Sequence, residues 1–280
     1  MAKDLLRETR EYFKAQNIPE IDATILLMHL LNCSRGELPL KLLKLSESER
    51  KEVDRDLRRM VLRRQNSEPV QYIIGNAPFR YQVYGVGPGV LIPRPETESL
   101  VSLVIGFLAD RSPGQSVIDL GSGSGCIAIS IATEVENVQV TAVEKSPDAA
   151  IWLKKNSARL TPDLRIIEAD VTVALMGETF DVVVANPPYI PNREYAEFLT
   201  PEVRKEPEIA LRGGPEDGMG VPREFISAAA RLLKSGGYCA LEHHETQTDL
   251  VAEAMSVDFV QIKGLPDLSG RPRFTTAIRR

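Results

Sequence analysis

Cysteine, excess positive charge and long apolar runs are what this chain lacks, and each shortage narrows its class. Its three cysteines (Cys33, Cys126 and Cys239) are odd in number, far apart and without metal-ligand spacing. That excludes a disulfide framework and predicts reduced thiols in a cytoplasmic protein with no metal. Lysine and arginine total 34 against 39 acids, a net charge of −5. A general phosphate-tracking or anionic-membrane surface is therefore not expected. No apolar run approaches a membrane span, and the stretch from Met1 to Lys14 is charged throughout, unlike a signal peptide. Internal repeats and low-complexity tracts are missing too. What remains is ordinary globular material, 43% hydrophobic and 26% charged, and its length of 280 residues suits two domains.

Residues 1–68 read as a helical domain. Leu5, Leu6 and Phe13 suit one face of a first helix. After Pro19, Ile21, Ile25, Leu26, His29 and Leu30 recur at helical spacing, which places His29 on the apolar face as a core histidine. Ser46-Glu47-Ser48-Glu49 has the form of a capping box. The long helix it opens runs through Val53, Leu57, Met60, Val61 and Leu62. Its other faces carry Arg50, Lys51, Arg55, Arg58, Arg59, Arg63 and Arg64, interleaved with acids. Over 69–95, short β-type runs alternate with Gly75, Gly85, Gly87 and Gly89, the pattern of a β-hairpin linker.

From 96 to 280 the pattern changes to regular alternation. A helix over Thr97–Ala109 leads into strands at 115–119, 138–143, 164–168, 180–185, 237–242, 257–263 and 273–278. Helices are expected at 125–134, 147–159, 222–234 and 246–255. Such alternation implies an α/β, Rossmann-like fold, a seven-stranded mostly parallel sheet covered by helices. The last two strands leave no room for a crossover helix, so one of them should run antiparallel.

Two ligand-facing patterns sit on this frame. Val117-Ile118-Asp119-Leu120-Gly121-Ser122-Gly123-Ser124-Gly125 is a strand entering a glycine turn that opens a helix at Cys126. Glycines at alternate positions let backbone approach a ligand closely. A dinucleotide fingerprint requires Gly-x-Gly-x-x-Gly, whereas position 126 is Cys, and Asp119 suits a cationic amino-acid end better than a pyrophosphate. Glu144 ends the next strand, where an acid bonds ribose hydroxyls. Asp170, followed by Val171, ends the third and is placed to meet an adenine amino group. Singly, a glycine turn is also a plain β–α connection and a strand-end acid a helix cap. Jointly they describe S-adenosylmethionine binding.

The second pattern is Asn186-Pro187-Pro188-Tyr189, closing the strand Phe180-Asp181-Val182-Val183-Val184-Ala185. Two prolines cannot continue a hydrogen-bond ladder, so the chain must leave the sheet there. The Asn carboxamide is thereby fixed at a strand's C-terminal end, where open α/β sheets bind ligands. It offers an acceptor and donors to a planar amide or amino group, and Tyr189 offers a flat face.

The chain resembles class I S-adenosylmethionine-dependent methyltransferases, and specifically the bacterial peptide chain release factor glutamine N5-methyltransferases. Leu91-Ile92-Pro93-Arg94-Pro95-Glu96-Thr97-Glu98, Asp119 to Cys126 and Asn186-Pro187-Pro188-Tyr189-Ile190 carry the resemblance. So do Glu206-Pro207, Gly213 to Gly218, Asp267-Leu268-Ser269-Gly270-Arg271, and the N-terminal Glu20-Ile21-Asp22-Ala23 and Glu68 to Gly75. Nearly the whole chain is covered. Asn-Pro-Pro-Tyr alone is shared with adenine-N6 DNA and guanine-N2 RNA methyltransferases, but the Arg-Pro-Glu-Thr-Glu segment is narrower. The chain departs from the family pattern at Arg204-Lys205 and at His243-His244.

The resemblance implies S-adenosyl-L-methionine as cofactor, S-adenosyl-L-homocysteine as product, and release factors as protein substrates of a cytoplasmic monomer that binds neither nucleic acid nor membrane directly. It implies cofactor contacts from Asp119, Gly121, Ser122, Gly123, Ser124, Gly125, Glu144, Asp170, Val171 and Asn186. Asn186, Pro187, Pro188 and Tyr189 would form the catalytic, substrate-holding segment, with Arg94 and Glu96 lining the substrate side. On this reading Asn186 Oδ1 and the Pro187 carbonyl accept the two N–H bonds of a glutamine amide. Glu98 also reads as a plain helix-start acid, His243 and His244 as a polar loop, and Met219 and Phe225 as packing. Trp152 reads as core or partly covered surface, and the basic helix 50–64 either as a solvated face or as a dock for an acidic partner. The other functional classes are a nucleic-acid amino methyltransferase and a non-catalytic cofactor sensor. The first needs a basic tracking surface, and the second has no use for an amide-orienting acceptor.

Overall fold

The computed structural model describes residues 4–280. It comprises two compact units, one holding the chain up to Gly75 together with Pro201–Lys205, the other Asn76–Thr200 with Glu206–Arg280.

The first unit is helical: α1 (Leu5–Ala15), α2 (Glu20–Leu31), α3 (Leu38–Lys44), α4 (Glu47–Gln65) and α5 (Val70–Ile74). The capping box at Ser46 and Glu49 is formed and starts α4. Leu5, Phe13, Leu26, Leu27, Leu38 and Leu57 make the core. His29 and Ile21 are exposed, which corrects the face expected for α2. That helix is apolar nearly all round, so its periodicity selects no unique side; packing buries Ala23, Leu26 and Leu27 instead. Arg64 is corrected as well. It is buried, paired at 2.7 Å with the equally buried Asp22 and at 2.7 Å with Glu202, because a guanidinium taken out of water must be matched by carboxylates. Val70–Ile74 is helical rather than β-type, entered at Pro69 and stopped by Gly75 in the left-handed conformation.

The second unit opens with a hairpin of β1 (Asn76–Phe79) and β2 (Gln82–Gly85), followed by α6 (Thr97–Ala109). Its body alternates β3 (Ser116–Leu120), α7 (Cys126–Glu134), β4 (Gln139–Glu144), α8 (Pro147–Leu160), β5 (Arg165–Glu168) and β6 (Phe180–Ala185). A small excursion contributes β7 (Ile190–Pro191), α9 (Asn192–Glu197) and β8 (Arg212–Gly214). The chain ends with α10 (Gly220–Leu232), β9 (Leu233–Glu242), α11 (Thr248–Met255), β10 (Phe259–Pro266) and β11 (Pro272–Arg279).

The seven-stranded sheet has the order β10-β11-β9-β6-β3-β4-β5. Only β11 runs against the rest, pairing antiparallel with both β9 and β10. This is the seven-stranded, mostly parallel sheet that the alternation predicts. Because parallel strands are buried on both faces, their side chains feed two cores. Ile118, Val183 and Leu241 join one with Phe225 and Met255, while Val117, Val182 and Val184 join the other with Leu100 and Leu153. Among the described residues no helix is long and apolar enough to cross a membrane. Cys126 and Cys239 are buried free thiols, pushed up to about 12 by desolvation.

Candidate active site

Strand order reverses between β3 and β6, the two neighbours that lead to opposite edges of the sheet. Beyond their C-terminal ends a crevice must open, because the following helices depart to opposite faces. A cleft of about 190 Å³ lies there. Gly121, Ser122, Gly123, Ser124, Glu144, Val171, Asn186, Pro188 and Arg94 all line it. Asp119, Gly125, Asp170, Pro187, Tyr189 and Glu96 do not.

The glycine turn is shaped from below. A Cβ on Gly125 would stand 2.6 Å from Leu153 Cδ1 and 2.9 Å from Ile129 Cδ1, and its φ is +84°. Gly125 therefore packs α7 onto the domain rather than facing the cleft. Glu144 is nearly buried and has both oxygens engaged. Oε2 accepts the Gly123 amide at 2.8 Å, and Oε1 accepts the Ser146 amide at 2.7 Å, so it holds the turn in register while lining the cleft. Asp170 lies to one side, accepting from Thr172 and paired with Lys145 at 3.5 Å.

Asp119 is wholly buried. Oδ2 accepts the Ala128 amide at 3.2 Å, while Oδ1 has no partner. Burial is the main reason its carboxyl rises to about 7, with Glu144 adding repulsion. A buried carboxylate oxygen left without a donor is costly unless a ligand or water supplies one. The glycine turn, this open acceptor and the acidic Glu144 fit a cationic, ribose-bearing ligand.

Asn186 is held at the end of β6 by a chain of side chains from three elements. Its Nδ2 donates to Thr97 Oγ1 at 3.2 Å, and Thr97 Oγ1 donates to Glu242 Oε2 at 2.8 Å. Tyr189 OH donates to Glu242 Oε1 at 3.4 Å. Glu242 is buried at the end of β9, and desolvation lifts it to about 7. Burial likewise raises the Tyr189 phenol.

The Asn-Pro-Pro-Tyr backbone is braced by Gln247, whose Nε2 donates to the Tyr189 carbonyl at 2.9 Å and to the Asp217 carbonyl at 2.8 Å. Arg94 is anchored by the buried Glu206, and Glu96 is exposed. Glu98 accepts the Arg80 amide at 2.9 Å, a structural duty. His243 lies in the loop that follows β9, as expected, but is not solvated there. It is fully buried, with Nε2 2.9 Å from Thr275 Oγ1, and burial lowers its pKa. Phe225 packs the core yet also lines the cleft beneath Gly121. Trp152 is partly covered, its Nε1 donating to the Pro88 carbonyl at 3.3 Å.

Thr97, Glu242 and Glu206 went unassigned on sequence grounds. Thr97 and Glu206 do fall inside segments that carry the family resemblance.

The doubly wound sheet with its single reversed strand, the glycine turn and the Asn-Pro-Pro-Tyr exit define a class I methyltransferase. Residues 101–214 match the methyltransferase small domain and residues 4–75 the PrmC N-terminal domain. The release factor glutamine methyltransferase of Bifidobacterium longum is 38% identical, covering 98% of this chain and 98% of its own. That of Mycolicibacterium smegmatis is 40% identical over 93% of this chain and 91% of its own. This chain belongs to the release factor glutamine methyltransferase family. A solved Thermus thermophilus 16S rRNA N2 G1207 methyltransferase, in complex with AdoMet and guanosine, shares the fold at a TM-score of 0.52 and 21% identity, over 73% of this chain and 50% of that one.

Proposed function

We propose that the enzyme transfers the methyl group of S-adenosyl-L-methionine to the side-chain amide nitrogen (N5) of the glutamine in the Gly-Gly-Gln motif of peptide chain release factors. The observation that carries this reading is the Asn186 carboxamide. Its Nδ2 end is tied to Thr97, which leaves Oδ1 as the acceptor for an incoming N–H.

An amide nitrogen is a poor nucleophile because its lone pair is delocalised into the carbonyl. The bound cofactor would supply an electrophilic methyl on a sulfonium. The protein's part is then placement. Asn186 Oδ1 and the Pro187 carbonyl accept the two amide N–H bonds, which aims the lone-pair face of nitrogen across the cleft. These acceptors gain strength as positive charge develops on nitrogen. The N–C bond would form as the methyl–sulfur bond breaks, with S-adenosyl-L-homocysteine as leaving group, and the nitrogen would then release one proton to water, so no strong base has to act first. Tyr189 ends the segment with its hydroxyl on Glu242.

On the cofactor side, Gly121 to Ser124, Glu144, Val171 and Asn186 share the cleft. Glu144 would meet the ribose, Val171 the adenine, and the unpartnered Oδ1 of Asp119 the amino-acid end through a bridging water. Asp170, away from the lining, would act by shaping the loop before Val171. The helical unit, with the arginine-bearing α4, would recognise the release factor. The enzyme would work as a monomer in the cytoplasm, the compartment of its substrate.

The test is incubation with labelled cofactor and, separately, release factor, tRNA and DNA, with the modified atom identified by mass spectrometry. Label on the Gly-Gly-Gln glutamine N5 alone is expected. Label on an exocyclic base nitrogen would instead mark a nucleic-acid methyltransferase, and no label with tight cofactor binding would mark a sensor.

A further inference from the structure

Glu242 touches neither substrate nor cofactor in the mechanism above, yet it is 1% exposed in a region where an unpaired carboxylate is costly. Its two oxygens receive Thr97 Oγ1 at 2.8 Å and Tyr189 OH at 3.4 Å. An ionised carboxylate can only accept hydrogen bonds. Thr97 must therefore spend its single proton on Glu242, so its oxygen can only accept from Asn186. The end of Asn186 that meets it has to be Nδ2, as the 3.2 Å contact shows. Donor polarity thus passes without choice from Glu242 through Thr97 to Asn186.

We propose that Glu242, acting through the Thr97 hydroxyl, selects which end of the Asn186 carboxamide meets the substrate amide. Thr97 and Glu242 are positioning residues for methyl transfer, and the inference rests on the reading of Asn186 as the amide-holding acceptor. A Glu242 protonated on Oε2, the oxygen that meets Thr97, reverses the order. Its own O–H donates to Thr97, Thr97 donates to Asn186 Oδ1, and the carboxamide turns over. Nδ2 then faces the substrate N–H, donor against donor, and the amide is no longer held.

The groups around Glu242 set where that reversal falls. Thr97 and Glu96 come from the start of α6, Tyr189 from the Asn-Pro-Pro-Tyr segment and Arg273 from β11. The Cys126 thiol at the start of α7 also feels Glu242. Adjacent in sequence, His243 turns its Nε2 to Thr275 and has its pKa lowered by burial. Burial dominates over the stabilising Thr97, Arg273 and Tyr189, and Glu96 adds repulsion, so Glu242 titrates at about 7.

The test is the single-turnover rate of methyl transfer to full-length release factor, from pH 6 to 9, at saturating cofactor so that Asp119 does not contribute. Wild type should lose rate as pH falls through about 7, the value of Glu242. Thr97→Val should be slower by about 10- to 100-fold and should lose that acidic limb. Thr97→Ser should restore both the rate, to within a few-fold, and the limb. Glu242→Gln, nearly isosteric, should also abolish the limb. Calorimetric cofactor affinity should stay the same in all three.

A Thr97→Val rate within twofold of wild type would overturn the proposal, as would an acidic limb that persists in Glu242→Gln. Asn186→Ala, run in parallel, separates the two levels. If it is inactive while Thr97→Val is not, the relay alone fails; if Asn186→Ala is itself active, the amide-holding reading fails.

Discussion

Glu206 holds Arg94 across 112 residues of sequence, its Oε1 accepting the guanidinium at 2.6 Å while Oε2 accepts the Ile92 amide at 2.9 Å. One buried carboxylate thus fixes a wall of the cleft that would otherwise be an irregular loop. Glu206→Ala leaves a buried amide and a part-buried cation unsatisfied, at a cost of about 2–4 kcal/mol. Turnover should drop together with thermal stability, and Glu206→Gln should recover part of both through the Ile92 bond. Melting curves and steady-state assays check this. A Glu206→Ala enzyme with unaltered melting and turnover would contradict the anchoring role.

Asp119 should trade stability against cofactor affinity. Its folded value of about 7 lies above its ordinary 3.8. Between those values the native state binds more protons than the unfolded chain, so this group favours folding at low pH. That contribution disappears as pH rises through about 7, and Glu242, raised in the same way, adds to the trend. Asp119→Asn should therefore melt a few degrees higher than wild type at pH 8, with the gap narrowing at pH 5. Its affinity for cofactor should fall, and wild-type affinity should weaken below pH 7. Scanning fluorimetry and calorimetry at the two pH values read both effects. A variant that melts lower at pH 8 would contradict the sign.

Gly213 bears directly on the Asn-Pro-Pro-Tyr segment. A Cβ there would stand 2.1 Å from the Gly218 carbonyl oxygen and 2.7 Å from Tyr189 Cα. Both obstacles are backbone and cannot rotate aside. Gly213→Ala should cost about 1–3 kcal/mol and displace Tyr189, lowering turnover more than cofactor affinity. Equal activity with an unchanged melting temperature would show that the loop relaxes freely.

On α4, Arg58 and Arg59 reach solvent with side chains 63% and 73% exposed, and they pair with Asp54 and Asp56 on the same helix. Such pairs contribute about 0.5 kcal/mol or less, so reversing both charges should leave folding intact. The apparent KM for release factor should rise while cofactor affinity holds. Identical kinetics on full-length release factor would remove the docking role.

The sheet was legible because each of its signals is local. Alternating runs with turn residues between them give β3 to β6, and two prolines stop β6 wherever it runs. The capping box at Ser46 is likewise complete within four residues. What escaped depends on contacts between distant segments. The Asn186–Thr97–Glu242 chain joins the start of α6 to the ends of β6 and β9, and Glu242 looks like the last residue of an apolar strand. Nothing in its neighbourhood of sequence marks it as buried and paired. The burial of His243 within its loop is unmarked for the same reason, because its partner Thr275 comes from β11. The face of α2 was unreadable because nearly every side of that helix is apolar, and a buried Arg64 cannot be told from its exposed neighbours without Asp22 in place.

The most direct test is Asn186→Ala, assayed for single-turnover methylation of release factor alongside calorimetric cofactor binding. Removing the acceptor should lower the rate by about 100-fold or more while cofactor affinity stays close to wild type. A rate close to wild type with cofactor still bound would contradict the account.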